Sequence, residues 1–196
     1  MTLAEPIAIT LQVTQALDKL GVAYLVGGSL ASSVHGIPRS TEDIDLLIEL
    51  PGRLVDALVT ELSPAFYVDR DMILDALGRR ASFNILELRT MFKVDLFVSD
   101  QSPLLVEEMA RRQRVELGDP PRVVYVCSAE DIVVQKLDWY EKGARSSDRQ
   151  WRDIIGVLTI RGPALDLAYI RRWAAALRLG DLCEKAISEA GFGSNP

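Results

Sequence analysis

Histidine occurs once in the 196 residues and cysteine twice. A single histidine, His35, excludes a histidine-rich metal centre. Cys127 and Cys183 lie far apart in apolar contexts. They have neither zinc-ligand spacing nor the density of a disulfide framework, so reduced core thiols of a cytosolic protein are expected. No apolar run approaches the length that spans a bilayer, and the opening MTLAEPIAIT lacks the basic start and apolar stretch of a secretory signal. The expectation is a cytoplasmic chain with no membrane partner. Internal repeats and low-complexity segments are missing too, as are the Walker loop and the dinucleotide fingerprint, which disfavours those two phosphate-binding classes. Basic residues are scarce in one half: residues 1–100 carry 8 Lys and Arg against 14 Asp and Glu, while residues 101–196 carry 14 of each. The net charge of −6 therefore arises wholly in the first half. Such a half is a poor surface for wrapping nucleic acid and suits a site that holds cations.

The chain is long enough for one core with a helical appendage. Ile7, Leu11, Leu17 and Leu20 share a helical face, and Gly21 stops that helix. Ala23–Val26 reads as a buried strand leading into Gly27-Gly28-Ser29 and a short helix of small residues that His35 closes. A loop follows, then a strand over Asp43–Leu50 and a helix after Pro51. A short strand near Phe66, a short helix from Asp71 and two strands, Ser82–Leu88 and Phe92–Val98, come next. The three residues Arg89-Thr90-Met91 joining those two strands favour an antiparallel pair. A helix over Pro103–Arg112 is expected to end in the solvated run Arg111-Arg112-Gln113-Arg114, ahead of a strand at Arg122–Val126. From a capping box at Ser128-Ala129-Glu130-Asp131 onward only helices are expected. There Trp139, Tyr140, Trp151 and Trp173 have spacings suited to core packing. The layout is α/β over 1–127, a helical part over 128–190, and a flexible tail over 191–196.

Chemistry concentrates in three places. In the strand Asp43-Ile44-Asp45, residues two apart project from one face, so both carboxylates point the same way. Like charges that close call for a counter-charge, and a hard divalent cation, Mg²⁺ or Mn²⁺, is held by such oxygens. An isolated pair of this kind is more often solvated. Asp95, however, lies in the apolar strand Phe92–Val98, where a buried carboxylate needs a partner. If that strand pairs beside the first, three carboxylates form a cluster able to bind two metals, the arrangement used in phosphoryl transfer. A salt bridge from Asp95 to an arginine is the alternative. Gly27-Gly28-Ser29 turns a strand into a helix and exposes backbone N–H groups to an anion, although alone such a triplet is commonly a turn and an N-cap.

Gly27-Gly28-Ser29, His35-Gly36, Arg39, Thr41-x-Asp43-x-Asp45 and the later strand residue Asp95, in that order and spacing, resemble the polymerase-beta-like nucleotidyltransferase superfamily over residues 22–98. Within it the chain looks like the minimal bacterial branch of abortive-infection (AbiEii-type) toxin nucleotidyltransferases. The resemblance implies a nucleotidyltransferase-type mixed sheet flanked by helices, with Asp43 and Asp45 as metal ligands. It makes Asp95 a further ligand and the activator of the attacking hydroxyl, and gives Gly28 and Ser29 the triphosphate. That branch adds a helical lysine and an Arg-Asp pair, here Lys136 and Arg152-Asp153. Lys136 then holds phosphate, with Asp153 or Asp148 orienting it. A lysine snorkelling from a half-buried helix is the structural alternative. Arg39 contacts phosphate from its loop, unless it is an ordinary surface arginine.

The function expected is metal-dependent transfer of an NMP from an NTP to a hydroxyl acceptor, whether RNA, protein or a small molecule as in antibiotic nucleotidyltransferases. The rival is a catalytically silent nucleotide-binding or partner-binding module of the same fold, such as a toxin–antitoxin component with a cognate partner protein.

Overall fold

A computed structural model of the chain describes residues 4–191. The expected flexible tail falls, from residue 192 on, outside the described residues. The chain forms two compact units: one runs to Gly27 and resumes over Ser40–Cys127, the other comprises Gly28–Arg39 and everything from Ser128.

The first unit is built on a seven-stranded mixed sheet, the α/β class expected. Its strands are β1 (Ala23–Val26), β2 (Asp43–Glu49), β3 (Phe66–Tyr67), β4 (Ser82–Glu87), β5 (Lys93–Val98), β6 (Gln113–Leu117) and β7 (Arg122–Val126), in the order β3-β4-β5-β2-β1-β7-β6. β2 and β5 run parallel at its centre, β1 is antiparallel to β2, and β4 is antiparallel to β5. Alternation in β2 and β5 sends Ile44, Leu46, Val94 and Leu96, all fully buried, to one face, and Asp43, Asp45 and Asp95, half-buried, to the other. Helices α1 (Ala4–Lys19), α3 (Val55–Leu62), α4 (Arg70–Arg79) and α5 (Pro103–Arg111) belong to this unit, and α1 packs on β1, β2, β7 and α3. Gly21, at φ +66°, ends α1 in the left-handed conformation that glycine adopts without strain. The β4–β5 turn is clasped by Glu87, whose carboxylate accepts from the backbone N–H groups of Arg89 and Thr90 and from the Thr90 hydroxyl.

One element departs from expectation. Gln113 and Arg114 do not prolong the end of a helix: α5 stops at Arg111 and they open the edge strand β6, paired antiparallel with β7. An edge strand needs no apolar run, because one side faces solvent and polar residues blunt it.

The second unit is helical: α2 (Gly28–His35), α6 (Ala129–Lys142), α7 (Asp148–Arg161), α8 (Leu167–Ala176) and α9 (Gly180–Glu189). α2 packs on α6 and α7, and α8 and α9 close the bundle. Ser128, Ser147 and Asp166 cap α6, α7 and α8 by accepting from the backbone N–H three residues on. The carbonyls of Val34 and His35 at the end of α2 accept from the Arg161 guanidinium, which also meets His35 Nδ1 at 2.9 Å. Among the described residues no helix is long and apolar enough to cross a membrane.

Candidate functional site

Parallel pairing of β2 with β5 places Asp45 directly opposite Asp95 and Asp43 opposite Lys93. Because residues two apart share a face, Asp43, Asp45 and Asp95 converge. One carboxylate oxygen from each lies within 4.8 Å of the others, and this is the one metal-competent group of three found among the described residues. Two backbone features hold it in place. The Thr41 hydroxyl, buried, donates to the Asp43 carbonyl at 2.8 Å and lies 3.3 Å from its carboxylate. The Gly27 N–H donates to the Asp45 carbonyl at 2.9 Å, carrying the β1–β2 ladder one residue past the strand.

The donor set is all carboxylate, which suits a hard divalent cation such as Mg²⁺ or Mn²⁺ and not a soft one. One positive charge already stands among the three acids. Lys93 Nζ donates to Asp95 Oδ2 at 2.5 Å. Its hydrogen bond to Asp95 pushes the Lys93 pKa above the ordinary lysine value despite burial, and the charges of Asp43 and Asp45 add to this. Asp95 thus joins the cluster and also has an ion-pair partner, a lysine on its own strand. Sequence reasoning passed over Lys93, although its place two residues before Asp95 already set it on the same face.

A second group of candidates meets within the helical unit. Asp153 on α7 accepts both Nε and Nη2 of Arg39, at 2.8 and 2.7 Å, and also Lys136 Nζ at 2.9 Å. The same Arg39 Nη2 reaches Ser29 Oγ at 2.7 Å. Lys136 does not snorkel: its side chain is 2% exposed and that of Asp153 5%. An ammonium so deep requires a carboxylate beside it. Burial pushes the Asp153 pKa up, but the Arg39 hydrogen bond and the Lys136 charge outweigh it and hold the group below the usual aspartate value. Asp148 opens α7 and its carbonyl accepts from the exposed Arg152. Gly28 stands at φ +56°, the left-handed region a side chain would strain, where the chain turns into α2.

Four aromatic residues of this unit expected in the core lie nearer the surface, while Tyr169 is buried. Trp139, Tyr140, Trp151 and Trp173 are all half-buried. Tyr140 and Trp151 lie against each other at 5.1 Å, with Lys185 over the Trp151 ring and the Trp151 indole N–H donating to Glu189. The indole N–H bond and the cation contact of Trp151 suit a ring that keeps one edge at the surface.

Residues 18–190 match the family described as nucleotidyl transferase AbiEii toxin, type IV TA system. The chain belongs to this AbiEii nucleotidyltransferase family. No curated protein matches its sequence. Among solved structures it is similar to an antigenic nucleotidyltransferase-like protein from Paracoccidioides brasiliensis, at 20% identity and a TM-score of 0.55, over 92% of this chain and 90% of that one. It is also similar to ANT(2″)-Ia in complex with adenylyl-2″-tobramycin, at 16% identity and a TM-score of 0.50, over 89% and 97%. A solution structure of the same antibiotic-resistance factor gives 16% identity and 0.50 over 94% and 97%. At these identities the likeness is one of fold, which is that of nucleotidyltransferases.

Proposed function

We propose that this chain transfers an NMP from an NTP to a hydroxyl acceptor in a divalent-metal-dependent reaction, and that it does so as the toxin of a toxin–antitoxin pair with a cognate partner protein. The observation that carries the reading is the convergence of Asp43, Asp45 and Asp95 in a member of the AbiEii family. Asp43 and Asp45 would hold Mg²⁺ or Mn²⁺, with Asp95 as a further ligand. The cation supplies Lewis-acid stabilisation of the charge that grows on the transferring phosphoryl group.

The remaining roles fall to the chain's own groups. Thr41 fixes the Asp43 carboxylate. Asp95 accepts the proton of the acceptor hydroxyl as that oxygen attacks the α-phosphorus. The bond from the α-phosphorus to the oxygen bridging to the β-phosphate breaks, and pyrophosphate leaves with that electron pair. Gly27, Gly28 and Ser29 are assigned to the triphosphate through backbone N–H and hydroxyl donors, with Lys136 and Arg39 as its cationic partners. Asp153 positions both cations.

The test is NMP transfer from each labelled NTP with Mg²⁺ or Mn²⁺, to total RNA, protein and aminoglycosides in turn. Asp43→Asn and Asp45→Asn are each expected to lower transfer by about a hundred- to a thousandfold, as removal of an essential electrostatic group does. Near-wild-type transfer by both folded variants would sink the assignment. A wild type that binds no NTP under any metal condition would favour the catalytically silent module instead.

A further inference from the structure

Asp43 and Asp45 on β2 and Lys93 and Asp95 on β5 make one patch of the sheet, with Lys93 opposite Asp43 and Asp95 opposite Asp45. Three corners are acids and the fourth is a cation whose Nζ lies 2.5 Å from an Asp95 oxygen. The Lys93 side chain is 44% exposed against 18% for Asp95, so its stem is not locked by packing. An ammonium on a four-carbon stem with open solvent around it can swing away from its partner. A divalent cation that takes the Asp95 oxygen held by Lys93 must displace the ammonium, and it then sits beside a like charge. Both requirements weaken its binding.

We propose that Lys93 is a tethered counter-ion: it holds Asp95 while the cluster is empty and competes with the divalent cation for that carboxylate. The inference rests on the metal-centre reading above. On it, Asp43 and Asp45 would hold the cation, and Asp95 would join them as a ligand by leaving Lys93.

The experiment is Mn²⁺ titration of the full chain without nucleotide, by calorimetry and by the electron paramagnetic resonance signal of free Mn²⁺. Wild type, Lys93→Met, Lys93→Gln, Lys93→Arg and Asp43→Asn are compared. Removing the tethered charge in Lys93→Met and Lys93→Gln is expected to tighten Mn²⁺ binding about tenfold, the scale of one close charge in a partly solvated site. Lys93→Arg keeps the charge and is expected to stay within about twofold of wild type. Wild-type or weaker Mn²⁺ affinity in both neutral variants, with wild-type binding still abolished by Asp43→Asn, would overturn the role of Lys93 and leave the metal centre standing. No Mn²⁺ binding by the wild type would overturn the metal centre itself, and the counter-ion with it.

Discussion

Removing the Asp153 carboxylate would strip both Arg39 and the fully buried Lys136 of the anion they share. Breaking a buried pair from the carboxylate side removes the anion that two cations share in a poorly solvated place, so Asp153→Ala is expected to cost about 3–5 kcal/mol. Lys136→Met is expected to cost clearly less, because Asp153 keeps its two-pronged bond to Arg39 and the methionine fills the stem's space. Urea denaturation of the two variants decides the matter, and equal losses would mean that Asp153 is not the hub. The charge also has a pH signature. Asp153 is held below its ordinary value of 3.8, so its carboxylate stabilises the fold above that pH, and this contribution is lost as pH falls through the lowered folded value. The stability gap between wild type and Asp153→Asn is therefore expected to stay constant from about pH 7 to pH 5 and to narrow only below 3.8. A gap that narrows near neutrality would point to some other group. At this scale Asp43 and Asp45 were legible from their spacing alone, since a strand's period of two decides which way they face. The pairing of Lys136 with Asp153 came only from the family resemblance, because the lysine's apolar neighbours are equally those of one that snorkels.

Between elements, the approach of α2 to α7 depends on Gly36. A Cβ built there would meet Val157 N at 2.8 Å, the Gly156 carbonyl carbon at 3.0 Å and the Ser32 carbonyl oxygen at 3.1 Å. All three are backbone atoms, which cannot rotate away, so only a shift of one helix makes room. Gly36→Ala is expected to destabilise the protein by about 1–3 kcal/mol, the usual cost of overpacking. It should also weaken the Arg39–Asp153 bond, because Arg39 follows closely on α2 and Asp153 rides on α7. Thermal unfolding and the Arg39 Nε–H resonance by NMR check both effects; an unchanged midpoint would mean the helices are free to part. A glycine required by a distant helix has no mark in the sequence, where His35-Gly36 reads only as a helix end. β6 was hidden for a different reason. Its polar, exposed residues satisfy an edge strand, and the signal for such a strand is its pairing with β7, which the local pattern does not carry. The central pair was readable because burial forces alternation there, and the facing of Asp45 by Asp95 followed once the two strands were neighbours.

Across the whole molecule, the chain passes between its two compact units three times, after Gly27, Arg39 and Cys127. All seven strands and the three clustered carboxylates belong to the first unit. α2 belongs to the second, where it packs on α6 and α7, although it ends at His35 and they begin at Ala129 and Asp148. That grouping leaves no trace in composition or periodicity, because loop closure over such a length costs little and needs no local signal. It has a consequence for a fragment ending at residue 127. An eight-residue helix without tertiary partners is unstable in water. In such a fragment the amides of α2 are expected to exchange with solvent at close to the rate of an unstructured peptide, while those of β2 and β5 stay protected. The fragment should still bind Mn²⁺, since Asp43, Asp45 and Asp95 all lie on those two strands. Hydrogen exchange read residue by residue, together with a Mn²⁺ titration, tests both halves of the expectation. Full protection of α2 in the fragment would show that α6 and α7 are not what holds that helix. Loss of Mn²⁺ binding with β2 and β5 still protected would show that the three carboxylates do not by themselves suffice as a metal site.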